Sequence, residues 1–181
     1  ISNNSVSNQP KSWIADIGHT THLTTADKKG NIVSLTQTIG PLMGSKVASK
    51  ELGFLYAVTL GGYLGNYKPG DRANSHISPV MIFKENSPVL ALGAAGGSRI
   101  ITAITQVTSR YISQKNSLSK ALELPRVYPY DDTLQIENHE SLKNINAKLN
   151  QKMTPVKLID GLARFGRDHA VALDSINHKW S

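Results

Sequence analysis

β-Branched and polar residues alternate in the manner of β-strands from His19 to Thr25 and again from Asn31 to Thr38. Asp27-Lys28-Lys29-Gly30 lies between them, so the pair predicts a hairpin with a glycine in its turn. Pro41–Lys50 reads as a loop and Gly53–Thr59 (GFLYAVT) as a buried strand. Leu60–Asn74 is a long glycine-rich connection, a type usually kept for function or motion. Ser78–Lys84 and Pro88–Gly93 predict a second hairpin across Glu85-Asn86-Ser87.

The period then changes. Ile100, Ile101, Ile104, Val107, Thr108 and Tyr111 share one face at helical spacing. A second short helix is expected over Ser117–Leu124, capped by Ser117 and ended by Pro125. Leu134–Glu137 reads as a strand and Ser141–Gln151 as an amphipathic helix carrying Leu142, Ile145 and Leu149. Val156–Ile159 and Ala170–Leu173 complete the strands. Strands first, then helices, then strands again describe an α+β layered domain. Residues 1–15 form a loose polar leader ahead of it.

Composition narrows the function classes. At 181 residues, 39% hydrophobic and 18% charged, the chain reads as globular and long enough to bury a core. No apolar run is long enough for a membrane span. The absence of cysteine excludes a disulfide scaffold, thiolate zinc sites and a catalytic thiol. The six histidines form no H-x-x-x-H pair, so no metal site is expected. A net charge of +7 invites a nucleic-acid reading. Yet the 20 basic residues are dispersed, the longest run being Lys28-Lys29. No aromatic-interleaved basic stripe accompanies them, and nucleic acid is not expected as a partner. Solubility or attraction of an anionic substrate is the better use of the charge. Ile1–Pro10 is polar and lacks a signal-peptide h-region. Either the protein is not exported or its natural start lies upstream.

Candidate chemistry begins at Thr20-Thr21-His22-Leu23-Thr24, dense in hydroxyls for a strand start. Alone, such a run reads as edge-strand threonines. Gly96-Gly97 follows a strand and opens a helix. It reads either as a tight turn needing positive φ or as backbone N–H groups aimed at developing negative charge. Ser75 reads locally as a turn-capping serine, and Asp131-Asp132 as solvated turn residues.

Taken in order, TTHLTTADKKGNIVSLTQT, GSKV, KPGDRANSHISP, LGAAGGSRI and ALELPR resemble the small subunit of the γ-glutamyltranspeptidases, within the N-terminal nucleophile hydrolase superfamily. The resemblance runs in register from Thr20 to Arg126 and more loosely beyond. It implies the αββα sandwich, two stacked antiparallel sheets between helical layers. It also implies self-cleavage at His19–Thr20, with residues 1–19 closing the preceding segment and residues 20–181 forming the small-subunit-like domain. Thr20 would then supply both nucleophilic hydroxyl and basic α-amine, an amine of ordinary pKa near 8 being suited to the task. Thr21 is the neighbouring alternative, but the family pattern sets the nucleophile two residues before the histidine. Thr38 matches the family's second threonine, Gly96 and Gly97 its oxyanion hole, and Ser75 the first of two serines on the substrate α-carboxylate. His22 is expected to be structural. No cofactor is implied. The implied partners are a large subunit, or the N-terminal part of the same precursor, and a small amide or γ-glutamyl substrate. Family members commonly reside in the periplasm or outside the cell.

The departures gather where the family binds the γ-glutamyl group. Gly40 stands where the family has asparagine, Thr59-Leu60-Gly61-Gly62 where it has acidic residues, and His76 where it has the second serine. Without those carboxylates the charge partner for a substrate ammonium is gone, and discrimination built on that pair goes with it. Three expectations follow. The protein is an amide hydrolase or acyltransferase with an altered acyl-donor pocket, or a folded but silent homologue, or a binding module for anionic partners.

Overall fold

The computed structural model describes residues 19–58, 68–72, 75–139, 142, 155–160, 165–174 and 177–181. The first hairpin forms as the alternation predicts. β1 (Thr20–Ala26) pairs antiparallel with β2 (Ile32–Thr38), Thr20 opposite Thr38 and His22 opposite Thr36. The Asp27 carboxylate ties the turn by accepting from the Lys29 and Asn31 backbone N–H groups. Gly30 there has φ +86°, a conformation open to glycine.

β3 (Val80–Lys84) and β4 (Ser87–Ala95) form the second hairpin. Its turn is Glu85-Asn86, both at positive φ, as a two-residue mirror-image turn requires. β8 (Arg167–Asp174) lies on the other side of β4, and β9 (Lys179–Trp180) extends the sheet to the order β3-β4-β8-β9.

β4 explains the layering. Leu90, Leu92 and Ala94 alternate with Ala91 and Gly93, and all are buried. In a strand these two sets point to opposite faces. The larger set packs with Ile100, Ile104 and Val107 of α1 (Ile100–Ile112) and Ala121 of α2 (Leu118–Glu123). The smaller set admits the β1–β2 hairpin, whose His22 ring sits directly on Gly93. Helices, central sheet and hairpin are therefore stacked in that order. Ser117 caps α2 by accepting from the Lys120 N–H, as the sequence predicts. A third sheet, β5-β6-β7, joins Val127–Tyr130, Thr133–Glu137 and Val156–Ile159.

One predicted strand does not form. Gly53–Val58 is irregular, held by an isolated bridge between Leu55 and Ala48. Phe54 and Tyr56 are exposed rather than buried, as is the preceding Leu52. An apolar run signals burial only if something covers it, and nothing among the described residues does. β5 and β9 are additional to the predicted strands, and β8 begins at Arg167 rather than at Ala170. The leader, most of the glycine-rich connection and the expected Ser141–Gln151 helix (Leu142 apart) lie outside the described residues.

Candidate active site

The start of β1 and the end of β2 bring two threonines together. The Thr20 hydroxyl donates to Thr38 Oγ1 at 3.1 Å, and the Thr38 hydroxyl donates to the His19 carbonyl oxygen at 3.4 Å. The Ile39 N–H reaches the same carbonyl at 3.5 Å. The two hydroxyls form a directed chain from Thr20 to the peptide bond that precedes it. Gly40 closes the other side: its N–H donates to Thr38 Oγ1 at 3.1 Å, and its carbonyl accepts from His19 N–H at 3.2 Å.

Gly40 has φ +81°, and a Cβ there would overlap the Val58 carbonyl. Both the conformation and the close approach therefore demand glycine. The asparagine expected from the resemblance could not occupy this backbone, so the substitution reshapes the rim beside Thr38. Ser75 and His76 lie on an exposed segment. Ser75 Oγ accepts from the Ile77 N–H at 3.2 Å and the His76 carbonyl from the Ser78 hydroxyl at 3.2 Å. No described hydrogen bond joins either residue to the Thr20–Thr38 pair. Thr59–Gly62 lies outside the described residues.

His22, two residues along β1, is 3% exposed. A 2.6 Å hydrogen bond joins its Nδ1 to Thr36 Oγ1, and Nε2 stands 3.5 Å from Ser34 Oγ. Ser34 in turn donates to the Leu92 carbonyl of β4 at 3.2 Å. Burial, reinforced by the charge of His169, lowers the His22 pKa below its ordinary value. The ring is a wedged spacer that fixes the hairpin on the sheet.

The Gly96-Gly97 turn follows the same β4 strand. Gly96 has φ +151° and Gly97 +61°. A short 3₁₀ turn over Gly97–Arg99 then leads into α1, and no side chain caps either N-terminus. Backbone N–H groups at such a junction suit an anion or an oxyanion. A Cβ on Gly96 would come 2.9 Å from Gly166 Cα, so the turn is stacked directly on the backbone leading into β8.

Two supporting features had no sequence signal. Tyr128 donates its hydroxyl to Ser98 Oγ at 2.9 Å, and its ring lies 4.8 Å beneath the Arg99 guanidinium. Behind Gly166, the Arg126 guanidinium is paired with the buried Asp168 at 3.1 Å. Among the described residues no group of three or more metal-ligating side chains gathers, and no helix is long and apolar enough to cross a membrane.

The sequence profile of the gamma-glutamyltranspeptidase family matches residues 1–179. The Bacillus subtilis glutathione hydrolase proenzyme is 32% identical over 148 residues, covering 78% of this chain and 25% of that protein. The acylase ACY 1 proenzyme of Pseudomonas sp. strain V22 is 35% identical over 140 residues, covering 71% and 25% respectively. The chain thus spans about a quarter of the length of the curated relatives it matches. In structure it resembles a mutant of the Helicobacter pylori gamma-glutamyltranspeptidase with a TM-score of 0.74 and 26% identity, over 89% of this chain and 96% of that one. The α+β layering is that of the N-terminal nucleophile hydrolase fold. A profile match along almost the whole sequence, relatives above 30% identity and a shared fold agree that this chain belongs to the gamma-glutamyltranspeptidase family.

Proposed function

We propose that the protein is an autoprocessed amide hydrolase or acyltransferase in which Thr20 is the nucleophile. The observation that carries this reading is the hydroxyl chain from Thr20 through Thr38 to the His19 carbonyl. Attack of Thr20 Oγ1 on the His19 carbonyl carbon places negative charge on the oxygen faced by the Thr38 hydroxyl and the Ile39 N–H. Donors aimed at developing charge lower the barrier for such a step. Collapse breaks the His19–Thr20 C–N bond, with the Thr20 hydroxyl proton passing to the departing nitrogen, and so frees the Thr20 α-amine and leaves an ester on Thr20 Oγ1. Water then hydrolyses the ester, releasing the His19 carboxylate and restoring the Thr20 hydroxyl. That amine, no longer acylated, serves as base for the same hydroxyl in turnover. Gly96 and Gly97 supply N–H groups for the substrate oxyanion. Ser75 and His76 belong to the rim that meets the substrate.

The acyl donor differs from a free γ-glutamyl amino acid. Thr59-Leu60-Gly61-Gly62 offers no carboxylate to an α-ammonium, His76 replaces a hydroxyl, and Gly40 leaves no room for an asparagine. A donor whose α-amine is itself acylated, as within a γ-linked polyglutamate, fits a pocket stripped of its ammonium partner.

The large subunit, from the N-terminal part of the same precursor, is the proposed partner. The outward face of the β1–β2 hairpin carries Leu23, Val33 and Leu35 at 42, 49 and 43% exposure. Apolar strand faces of this kind are stable when covered. A silent homologue is the second reading, favoured by the loss of the acidic residues. Thr20→Ala in the full-length precursor separates the two. Loss of both self-cleavage and amide hydrolysis is expected, and activity retained in the variant would sink the proposal.

A further inference from the structure

The Gly96–Gly97 turn rests on Gly166, and Gly166 is held from behind by a charge pair. Arg126 Nη1 donates to the Gly166 carbonyl at 3.0 Å, and Nη2 donates to the Leu122 carbonyl at 3.0 Å. Nη2 also lies 3.1 Å from Asp168 Oδ2, an ion pair off the hydrogen-bond line. The Asp168 side chain is fully buried and that of Arg126 is 12% exposed. In the ladder Ala94 is opposite Asp168 and Ala95 opposite Arg167. The pair therefore sits at the rows that deliver the chain into Gly96. Gly166 has φ +99°, and a Cβ on it would press on the Ala103 side chain at 2.8 Å. It is confined between α1 and the turn, with little freedom to relax.

We propose that Asp168 is a positioning residue for the Gly96–Gly97 turn, acting through Arg126 and the Gly166 carbonyl. The proposal rests on the assignment of that turn to the substrate oxyanion. With the carboxylate charged, the guanidinium stays inward and its fork locks Gly166 under Gly96. With the carboxyl protonated, Arg126 loses its counter-charge beside an open cleft of 690 Å³ lined also by Glu123, Glu137, His139 and Arg167. The guanidinium then relaxes toward solvent, and the turn loses its support.

The charges facing Asp168 act in opposite senses. Burial is the largest influence and raises its pKa to about 6. Arg126, Arg110 of α1 and His169 of β8 oppose the rise, while Glu137 of β6 adds to it. The support is present above that value and is lost as pH falls through it. As the base, the Thr20 α-amine already makes turnover fall with decreasing pH. Asp168 adds a second proton-linked loss.

The test uses processed protein made from the full-length precursor. In the wild type, log kcat should fall with slope one as pH decreases, take a further drop of about tenfold centred near pH 6, and resume slope one below it. In Asp168→Asn the slope should stay at one, with kcat at pH 8 lowered about tenfold and KM unchanged, the signature of a mis-aimed oxyanion donor. A wild-type profile and kcat in that variant would overturn the proposal. Hydrogen–deuterium exchange on the wild type provides a second measurement, needed if the variant does not fold. Amides of Ala95–Arg99 should lose protection between pH 7.5 and pH 5, beyond the intrinsic effect of pH, and constant protection would equally overturn it. Mass analysis for a Thr20 N-terminus is run alongside. If Thr20 is not freed, the parent assignment fails, while the exchange arm still reads the clamp on its own.

Discussion

Gly93→Ala tests the contact that seats the nucleophile hairpin on the central sheet. A methyl group at this position would occupy the space of the His22 ring, and Gly93 has no positive φ that would confound the result. The ring cannot step aside freely, because Thr36 holds its Nδ1 at 2.6 Å and the whole side chain is buried. Overpacking a dense interior costs about 1–3 kcal/mol. Expelling the ring also breaks the His22–Thr36 bond and strands a buried polar group, about 1–3 kcal/mol more. The expected destabilisation is therefore about 2–6 kcal/mol, with slower self-cleavage because Thr20 is carried on the displaced strand. His22→Ala should destabilise as well, but it vacates the space that the new methyl needs. Adding Gly93→Ala to His22→Ala should then cost less than about 1 kcal/mol, a strong departure from additivity. Thermal unfolding of the full-length precursor in its four forms measures the cycle. Additive effects would refute the stacking of His22 on Gly93 as the seat of the hairpin.

Three further outcomes follow from the same geometry. Thr38→Val removes the hydroxyl between Thr20 and the His19 carbonyl and should slow self-cleavage about 10- to 100-fold, whereas Thr38→Ser should largely retain it; a time course by intact mass measures both. Gly96→Ala places a Cβ 2.9 Å from Gly166 Cα at φ +151°, so kcat should fall about 100-fold, read by steady-state kinetics on processed enzyme. Asp168 in the folded protein titrates near 6 against an ordinary 3.8. The folded state thus binds this proton more tightly, and stability from this group falls as pH rises from about 4 to about 6, by up to about 3 kcal/mol. Asp168→Asn should remove that slope in melting temperatures recorded across the same window.

The elements governed by local pattern were legible in the sequence. The β1–β2 alternation, the Glu85-Asn86 turn, the apolar face of α1 and the Ser117 cap each follow from neighbours a few residues apart. Gly53–Thr59 reads as a buried strand because its apolar run looks like core, yet Phe54 and Tyr56 are exposed and no described residue covers them. β5 is not legible in the pattern because Tyr128-Pro129-Tyr130 reads as a loop, although an edge position tolerates its proline. The candidate site divides the same way. Thr20, Thr38 and the glycine pair were identified by resemblance, and the geometry joins Thr20 to Thr38. At Gly40 the resemblance marks only a missing asparagine, whereas the structure adds a backbone N–H that serves Thr38 and a close approach to the Val58 carbonyl. The Arg126–Asp168 pair left no trace, since a buried ion pair between distant segments has no local periodicity.

The central claim is that the His19–Thr20 bond is opened to make Thr20 a nucleophile with a free α-amine. N-terminal sequencing of the small chain purified from the native full-length precursor tests it most directly. The account predicts a new N-terminus beginning Thr-Thr-His-Leu. A folded, stable protein in which His19 and Thr20 remain joined would contradict it.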